Sequence, residues 1–398
     1  MAGLKVLIVH NHYKQHGGES AVVQAETELL RGLGHEVVLY SRDNHEIDDY
    51  GVLDRAAFFP SALFSRRTYG ELTDLVRQQR PDVAHVHNVF PLISPAAYVA
   101  LDRARVPIVQ TVHNFRFLCP NGLFFVHGAL CERCKTGNTL PAIQRRCYRN
   151  SYPLSALYAL IVRVHRQAGT LNRIDRFIAL NPFVKAKLIE GGVATEDKLS
   201  VLGHFLPDPW PSLPSAADRR PYALFLGRLG EEKGAATLIE AARLVPELAV
   251  RIAGEGPAAE ELRRLAHARQ ASNVEFLGDV KGTEKWDLLR HATALVVPSL
   301  CYETFSLAML EGMASGCAIV ASRLGSLAAL IEDGKTGLLF APGDSVDLAA
   351  KLRALINDKP NALALGHAAR ARVEGQATAA IHGQRLLEIY QQAIRDKV

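Results

Sequence analysis

The 398-residue sequence predicts an α/β protein built as two doubly wound, Rossmann-like domains with their ligand sites facing across a cleft. Three observations carry that expectation. Short apolar runs of strand length alternate with helical stretches along the chain. A break at 206–221 holds five prolines, Pro207, Pro209, Pro211, Pro214 and Pro221, and the alternation restarts after it. Glycine-bearing loops follow several of the strands.

In order, Val6-Leu7-Ile8-Val9 lies within a strand over 4–10, and Gly17-Gly18 lead into a helix over 20–33 that Gly34 stops. Glu36–Tyr40 is a second strand. A helix over 70–79 ends before Arg80-Pro81. Val83–His87, Ile108–Val112 and Phe177–Leu180 are further strands, with an amphipathic helix over 152–170 that carries Arg163, His165 and Arg166. Beyond the prolines come strand Tyr222–Leu226, a helix over 234–245, and strands Ala249–Ile252, Val274–Leu277, Ala294–Val297, Ala318–Ala321 and Gly337–Phe340. The domains expected are therefore 1–206, with a cysteine-bearing insert at 115–150, and 222–375, joined by a linker at 207–221. No strand follows the last helix, 376–398, which is expected to pack back toward the first domain.

Hydrophobic residues make up 48% and charged residues 22%, an ordinary globular balance that excludes a disordered chain. No apolar run approaches the ~20 residues of a membrane span. The N-terminus enters a strand at once, without the pattern of a signal peptide, so a cytoplasmic protein is expected. Net charge is +5. Nine Lys/Arg fall within 133–176, against Asp175 and the neighbouring Glu132, a stretch that suits phosphates or an anionic membrane surface. A solvated helix face is the plainer alternative. No recognition motif points to nucleic acid.

Cys119, Cys131, Cys134 and Cys147 are spaced C-x11-C-x2-C-x12-C in a loop-rich stretch. Four thiolates around a Cys-x-x-Cys suit a structural zinc. An iron–sulfur cluster and plain thiols remain open alternatives, and disulfides are disfavoured without an export signal.

The chemistry-bearing residues cluster after strands. His16-Gly17-Gly18-Glu19-Ser20 opens a helix, where backbone N–H groups attract anions. Gly227-Arg228-Leu229-Gly230-Glu231-Glu232-Lys233-Gly234 puts two cations in one loop, fit to hold a diphosphate and its growing charge. Gly254-Glu255-Gly256-Pro257 allows a close backbone approach. Glu303 and Glu311 bracket Phe305, Ser306 and Leu307, with Thr304 or Ser306 as the helix cap. Eight helical residues rise about 12 Å, wider than the roughly 5–9.5 Å of a glycosidase carboxylate pair. That separation suits two hydroxyl-bearing ends of one ligand. His113 ends a strand and can meet a sugar hydroxyl or move a proton. His85 and His87 alternate on one strand and read as structural.

Together these motifs, with Pro81–His87, Asn273–Gly278, Asp333–Gly337 and Pro342-Gly343-Asp344, resemble the retaining GT-B glycosyltransferases of family 4 (glycosyltransferase group 1) over nearly the whole chain. The resemblance implies transfer of a sugar from a nucleotide-diphosphate sugar to a saccharide or lipid-linked acceptor, with retention and without a catalytic metal. It assigns the diphosphate to Arg228 and Lys233, and the transferred sugar to Glu303, His113 and the backbone of Phe305, Ser306 and Leu307. Glu311 takes the ribose, Gly17 and Gly18 line the cleft, and the leaving phosphate takes the acceptor's proton. The cysteine insert is similar to a subset that builds surface polysaccharides, so work at the inner face of a membrane is expected. A nucleotide-sugar epimerase or hydrolase of the same fold, and a non-catalytic scaffold subunit, are the rival readings. Two positions depart from the family pattern. Ser306 stands where glycine is common, and an alanine of Gly325-Ser326-Leu327-Ala328-Ala329 stands where glutamate is common.

Overall fold

The computed structural model describes residues 3–14, 17–215 and 218–397, so His16 of the first glycine loop lies outside the described residues. The chain forms two compact units. The first comprises 1–124, 132–204 and 379–398, and the second 125–131 and 205–378.

The first unit holds six parallel strands: β1 (Lys5–His12), β2 (Glu36–Asp43), β3 (Val83–Asn88), β4 (Ile108–Thr111), and, beyond the hairpin strands β5 (Phe125–Val126) and β6 (Ala129–Leu130), β7 (Arg176–Ala179) and β8 (Leu199–Val201). Their order is β2-β1-β3-β4-β7-β8. The second sheet is also parallel, with β9 (Arg220–Leu226), β10 (Ala249–Ala253), β11 (Val274–Gly278), β12 (Ala292–Val297), β13 (Ala318–Ser322) and β14 (Leu338–Phe340). It runs β11-β10-β9-β12-β13-β14, which is the Rossmann order 3-2-1-4-5-6. The first sheet instead follows the flavodoxin-like order, so only the second unit is Rossmann-like in the strict sense. In both, strand order reverses beside the first strand, and ligands bind there at the carboxyl ends. The switch falls between β1 and β3 in the first unit and between β9 and β12 in the second.

Both sheets are buried on two faces, as continuous apolar strands require. Val6, Leu7, Ile8 and Val9 are at most 1% exposed. Ala223 and Phe225 of β9 face one core cluster, and Tyr222 and Leu224 face the other. The helix Ala379–Lys397 packs Leu386, Ile389, Tyr390 and Ala393 against Val6, Ile8, Val83 and Val109 of the first sheet. Its Lys397 ammonium lies 2.9 Å from Asp102.

Several boundaries move for physical reasons. The helix expected over 152–170 stops at Gln167, because Gly169 turns left-handed at φ 64° and a 3-10 turn follows. His165 is not on its basic face: it is buried, bonding Leu63 O at 2.8 Å and Thr170 Oγ1 at 3.0 Å. Within the insert, Phe125–Cys131 count with the second unit rather than the first. A ribbon of two-residue strands has too little pairing to stand alone and takes its place from what it packs on. Helices at Val52–Leu63 and Ala96–Arg103, and strand β8, went unrecognised in the strand–helix pattern.

Candidate functional site

In the second unit the loops after β9, β10 and β12 converge. A Cβ on Gly254, at φ 141°, would fall 1.8 Å from Gly227 O, and one on Gly234, at φ 70°, would fall 2.0 Å from Pro298 O. Only glycine lets these backbones approach so closely. The loop then makes a short 3-10 turn, Glu231–Lys233, before the helix Ala235–Leu244.

That turn delivers Lys233 to Glu303. Lys233 Nζ lies 2.7 Å from Glu303 Oε1, which also accepts from Ser299 Oγ at 2.6 Å. Burial works against the Lys233 charge, but Glu303 outweighs it and holds the ammonium above its ordinary value. Burial, with Glu303 nearby, pushes the Cys301 thiol up to about 12, so it stays protonated. Arg228 pairs with the buried Glu232 four residues on. Its own side chain is 43% exposed, available to an anion. Glu311 bonds Lys285 Nζ at 2.5 Å, and burial raises its carboxyl despite that cation.

Ser306, not Thr304, caps the following helix, its Oγ accepting from Met309 N at 3.2 Å. Its backbone sits at φ −105°, where glycine has no advantage, so the serine is compatible with the local geometry. The helix spans only Leu307–Ala314. Glu303 therefore precedes it, and the 12 Å helical separation expected between Glu303 and Glu311 does not apply. Four Glu-to-cap residues run in non-helical backbone, which has a different rise.

In the first unit Gly17 forms the extended N-cap of the helix Gly18–Gly32. Next to it, Glu19 Oε1 is buried 3.6 Å from His10 Nδ1, and neither atom has a hydrogen-bond partner among the described residues. Burial raises the Glu19 carboxyl to about 8 and lowers His10 to about 3. Arg116 is stacked 4.8 Å over the Tyr158 ring. A small cavity is lined by His87, Gln110, His113, Asn114 and Arg116. His113 Nε2 lies 2.9 Å from His87 Nδ1, and its ring stacks 5.3 Å from His204.

Spacing did not single out Glu19, although it lies in the His16–Ser20 motif, or Arg116, and His87, read as structural, is buried and bonded to His113. The signal for Glu19 was its place one residue inside a helix at the end of β1. Of the cysteines, Cys134 and Cys147 share a small cluster around Ala142, and Cys119 Sγ bonds Asn121 Oδ1 at 3.0 Å. Asn121 reaches the Cys147 carbonyl at 3.4 Å. Cys131 belongs to the hairpin residues counted with the second unit.

Three of the nine cations in the basic stretch pair with carboxylates. Lys135 pairs with Glu132 and Glu190, Arg173 with Asp102, and Arg176 with Asp396. Arg166 donates to the carbonyls of Lys135 and Gly191. Arg133, Arg146, Arg149 and Arg163 are exposed. Among the described residues, no helix is long and apolar enough to cross a membrane.

Two parallel doubly wound sheets, each with chemistry at its switch point, define a two-domain α/β protein of the GT-B fold. Anabaena HepE, solved in complex with UDP, has this fold, with a TM-score of 0.68 at 17% identity over 98% of this chain and 100% of that one. The chain belongs to the family 4 (group 1) glycosyltransferases: residues 16–206 match the model described as Glycosyltransferase Family 4, and residues 213–372 match Glycosyl transferases group 1. Its relatives include the sulfoquinovosyl transferase SQD2 of Arabidopsis thaliana, 34% identical over 41% of this chain and 32% of that protein. The glycogen synthase of Mycobacterium tuberculosis is 30% identical over 75% of this chain and 65% of that one. The phosphatidyl-myo-inositol mannosyltransferase of Mycolicibacterium smegmatis is 28% identical over 89% and 84%. The chain thus spans about a third of the first and just under two thirds of the second.

Proposed function

We propose that the chain is a retaining glycosyltransferase moving a hexosyl group from a nucleotide-diphosphate sugar to a saccharide or lipid-linked acceptor, in surface polysaccharide or glycolipid synthesis. The observation that carries this reading is the Lys233–Glu303–Ser299 array beside Arg228, at the switch point of the second sheet. Arg228 and Lys233 receive the diphosphate and stabilise the charge it gains as the sugar's C1–O bond breaks. Glu303 accepts from sugar hydroxyls, the backbone of Phe305, Ser306 and Leu307 lines the leaving group, and Gly254 lets the neighbouring loop approach. Glu311 accepts from the ribose diol. His113 touches the transferred sugar, and Gly17 and Gly18 border the acceptor. The acceptor oxygen bonds C1 on the face the phosphate leaves, and its proton passes to that phosphate. No catalytic metal enters this scheme.

The enzyme would work in the cytoplasm, where exposed Arg146, Arg149 and Arg163 would meet an anionic inner membrane surface. Cys119, Cys131, Cys134 and Cys147 would hold a structural zinc. The shared cluster of Cys134 and Cys147 and the Cys119–Asn121–Cys147 link support three of these ligands, and the Cys-x-x-Cys spacing supports the fourth.

The test is a thermal-shift screen with UDP, GDP, ADP and dTDP. At 100 times its dissociation constant a ligand stabilises by about 2.7 kcal/mol. The expected result is a rise with one diphosphate that Arg228→Ala abolishes. No rise with any of the four overturns the donor assignment.

A further inference from the structure

Arg116 is a cation enclosed in the first unit, only 7% exposed. A guanidinium keeps its proton in a protein, so the charge is permanent. A charge taken out of water is ordinarily paired with an opposite one, because left alone it is costly. Among the described residues Arg116 forms no ion pair.

Its neighbours are mostly rings. The guanidinium carbon lies 4.8 Å from the Tyr158 ring centroid, 5.5 Å from that of Phe90 and 5.6 Å from that of Tyr148. Ring faces ease the burial of a cation, but they do not replace its N–H···O bonds. Of those, Nη1 reaches Pro120 O at 3.4 Å, and the Tyr13 hydroxyl accepts another. Nε is buried with no hydrogen-bond partner among the described residues. The five N–H donors of the guanidinium therefore outnumber the oxygens around it.

The carboxyl that feels this charge is Glu19. Arg116 favours its ionised form, but burial outweighs that and raises the carboxyl to about 8. Its other polar neighbour is His10, whose Nδ1 lies 3.6 Å from Glu19 Oε1 and which burial holds neutral. Near pH 7 Glu19 is thus mostly protonated and does not cancel Arg116.

Arg116 also lines a cavity of about 20 Å³, together with Asn88 and Phe90 at the end of β3 and His113 and Asn114 after β4. These are carboxyl ends of parallel strands beside the switch point of the first sheet, where ligands of such sheets bind. The space holds a water or one small group, not a whole sugar ring. The loop is fixed from within. Asn114 Oδ1 accepts from Arg116 N at 3.0 Å, and Asn114 Nδ2 lies 3.4 Å from Tyr13 Oη. An incoming anion would meet a charge already in place, with no ordering cost left for the loop.

We propose that Arg116 is an oxyanion-binding residue of the first unit, which takes one acidic group of the acceptor, a phosphate or a carboxylate, at the cavity beside His113 and Asn114. The planar fork of an arginine suits both groups, and Nε is one of the donors it offers them. That the oxyanion belongs to the acceptor rests on the reading of the first unit as the acceptor side. That Arg116 binds one does not.

The test follows the Arg116 Nε–H signal in a 1H–15N spectrum of the full chain labelled with 15N-arginine, at pH 6.5. The signal is assigned by its loss in Arg116→Lys. Tyr158→Leu, which removes the closest ring, should move the same signal and so assigns it independently. The probes are inorganic phosphate, methyl glucuronide and, as a neutral sugar of the same shape, methyl glucoside. The expected result is a saturable shift with phosphate, with the glucuronide or with both, and none with the glucoside. Phosphate alone would point to a phosphate-bearing acceptor, and the glucuronide alone to an acidic sugar. No shift with either acid overturns the proposal and leaves Arg116 a purely structural cation. An equal shift with methyl glucoside overturns the recognition of charge. A shift that vanishes in Arg228→Ala overturns it as well, since the anion would then be bound in the second unit. Failure of the nucleotide screen would leave the Arg116 titration unaltered, so the two readings fail separately.

Discussion

The two units hold their candidate residues by opposite means. In the second, glycine backbones meet at Gly227, Gly234 and Gly254, and the charged side chains lie at the ends of short loops, with Arg228 43% exposed and Lys233 29%. In the first, side chains do the holding: His85 and His87 of β3, His204 after β8 and His382 of the last helix lie around one carboxylate, Glu26, that is 2% exposed. Arg228, the more exposed cation of the second unit, can exchange its carboxylate partner for a phosphate at small cost, because partly exposed ion pairs are individually weak, whereas Lys233 is held against the buried Glu303. The buried set of the first unit cannot rearrange without leaving a polar atom unpaired, which costs about 1–3 kcal/mol per group. Exchangeable ion pairs and fixed polar contacts are therefore divided between two kinds of construction.

Acid should separate the two most strongly. His10, His85, His87, His113 and His204 all have their values lowered by burial, to about 3 for His10 and about 4 for His85 and His204. The unfolded chain protonates them near pH 6.5 and the folded one does not, so stability falls as pH drops below 6.5. Glu19 works the other way: its folded value of about 8 lies above the unfolded one, so its contribution is lost as pH rises. Between pH 6.5 and 5.5 each histidine costs about 1 kcal/mol and Glu19 returns about as much, for a net loss on the order of 4 kcal/mol. Urea melts at the two values check this, and a flat profile would show that the histidines are not buried neutral.

Arg228→Ala should come next. Its effect on folding is expected under about 1 kcal/mol, since the pair with Glu232 is partly exposed. Sugar transfer should fall about 10²–10³-fold, as when one preorganised donor is removed from a developing charge. Denaturant melts beside single-turnover rates measure both. A large loss of stability with activity kept would erase the contrast drawn between the units.

The smallest effect is expected at Ser306→Gly. Replacing a serine cap by glycine costs a few tenths of a kcal/mol, and the negative φ gives glycine no compensating relief. A shift in melting temperature above a few degrees would show that Ser306 does more than cap.

Much of the molecule was legible in the sequence because it depends on neighbours in the chain. The apolar runs of Val6–Val9 and Ala318–Ala321 are strands because only strands bury four consecutive apolar residues on two faces. Gly227, Gly234 and Gly254 announce close backbone approaches, and the structure supplies the atoms they approach. The pairing of Lys233 with Glu303 was legible only as two motifs, since 70 residues separate them. Glu26 and Glu19 look like ordinary first-helix carboxylates, and the sequence cannot tell that one is ionised among histidines and the other neutral beside His10.

By itself the sequence determined the two α/β repeats, the proline-rich joint between them and the glycine positions in the loops. These follow from local periodicity and from the φ range each residue tolerates. Only the tertiary structure decided the different strand orders of the two sheets, the cap at Ser306 and the gathering of histidines around Glu26. His382 and Glu26 are 356 residues apart, and His85 and Tyr390 are 305. A hydrogen bond over such a separation leaves no period in the sequence. It exists because the last helix folds back onto the first sheet and shuts out the water that would otherwise take either end.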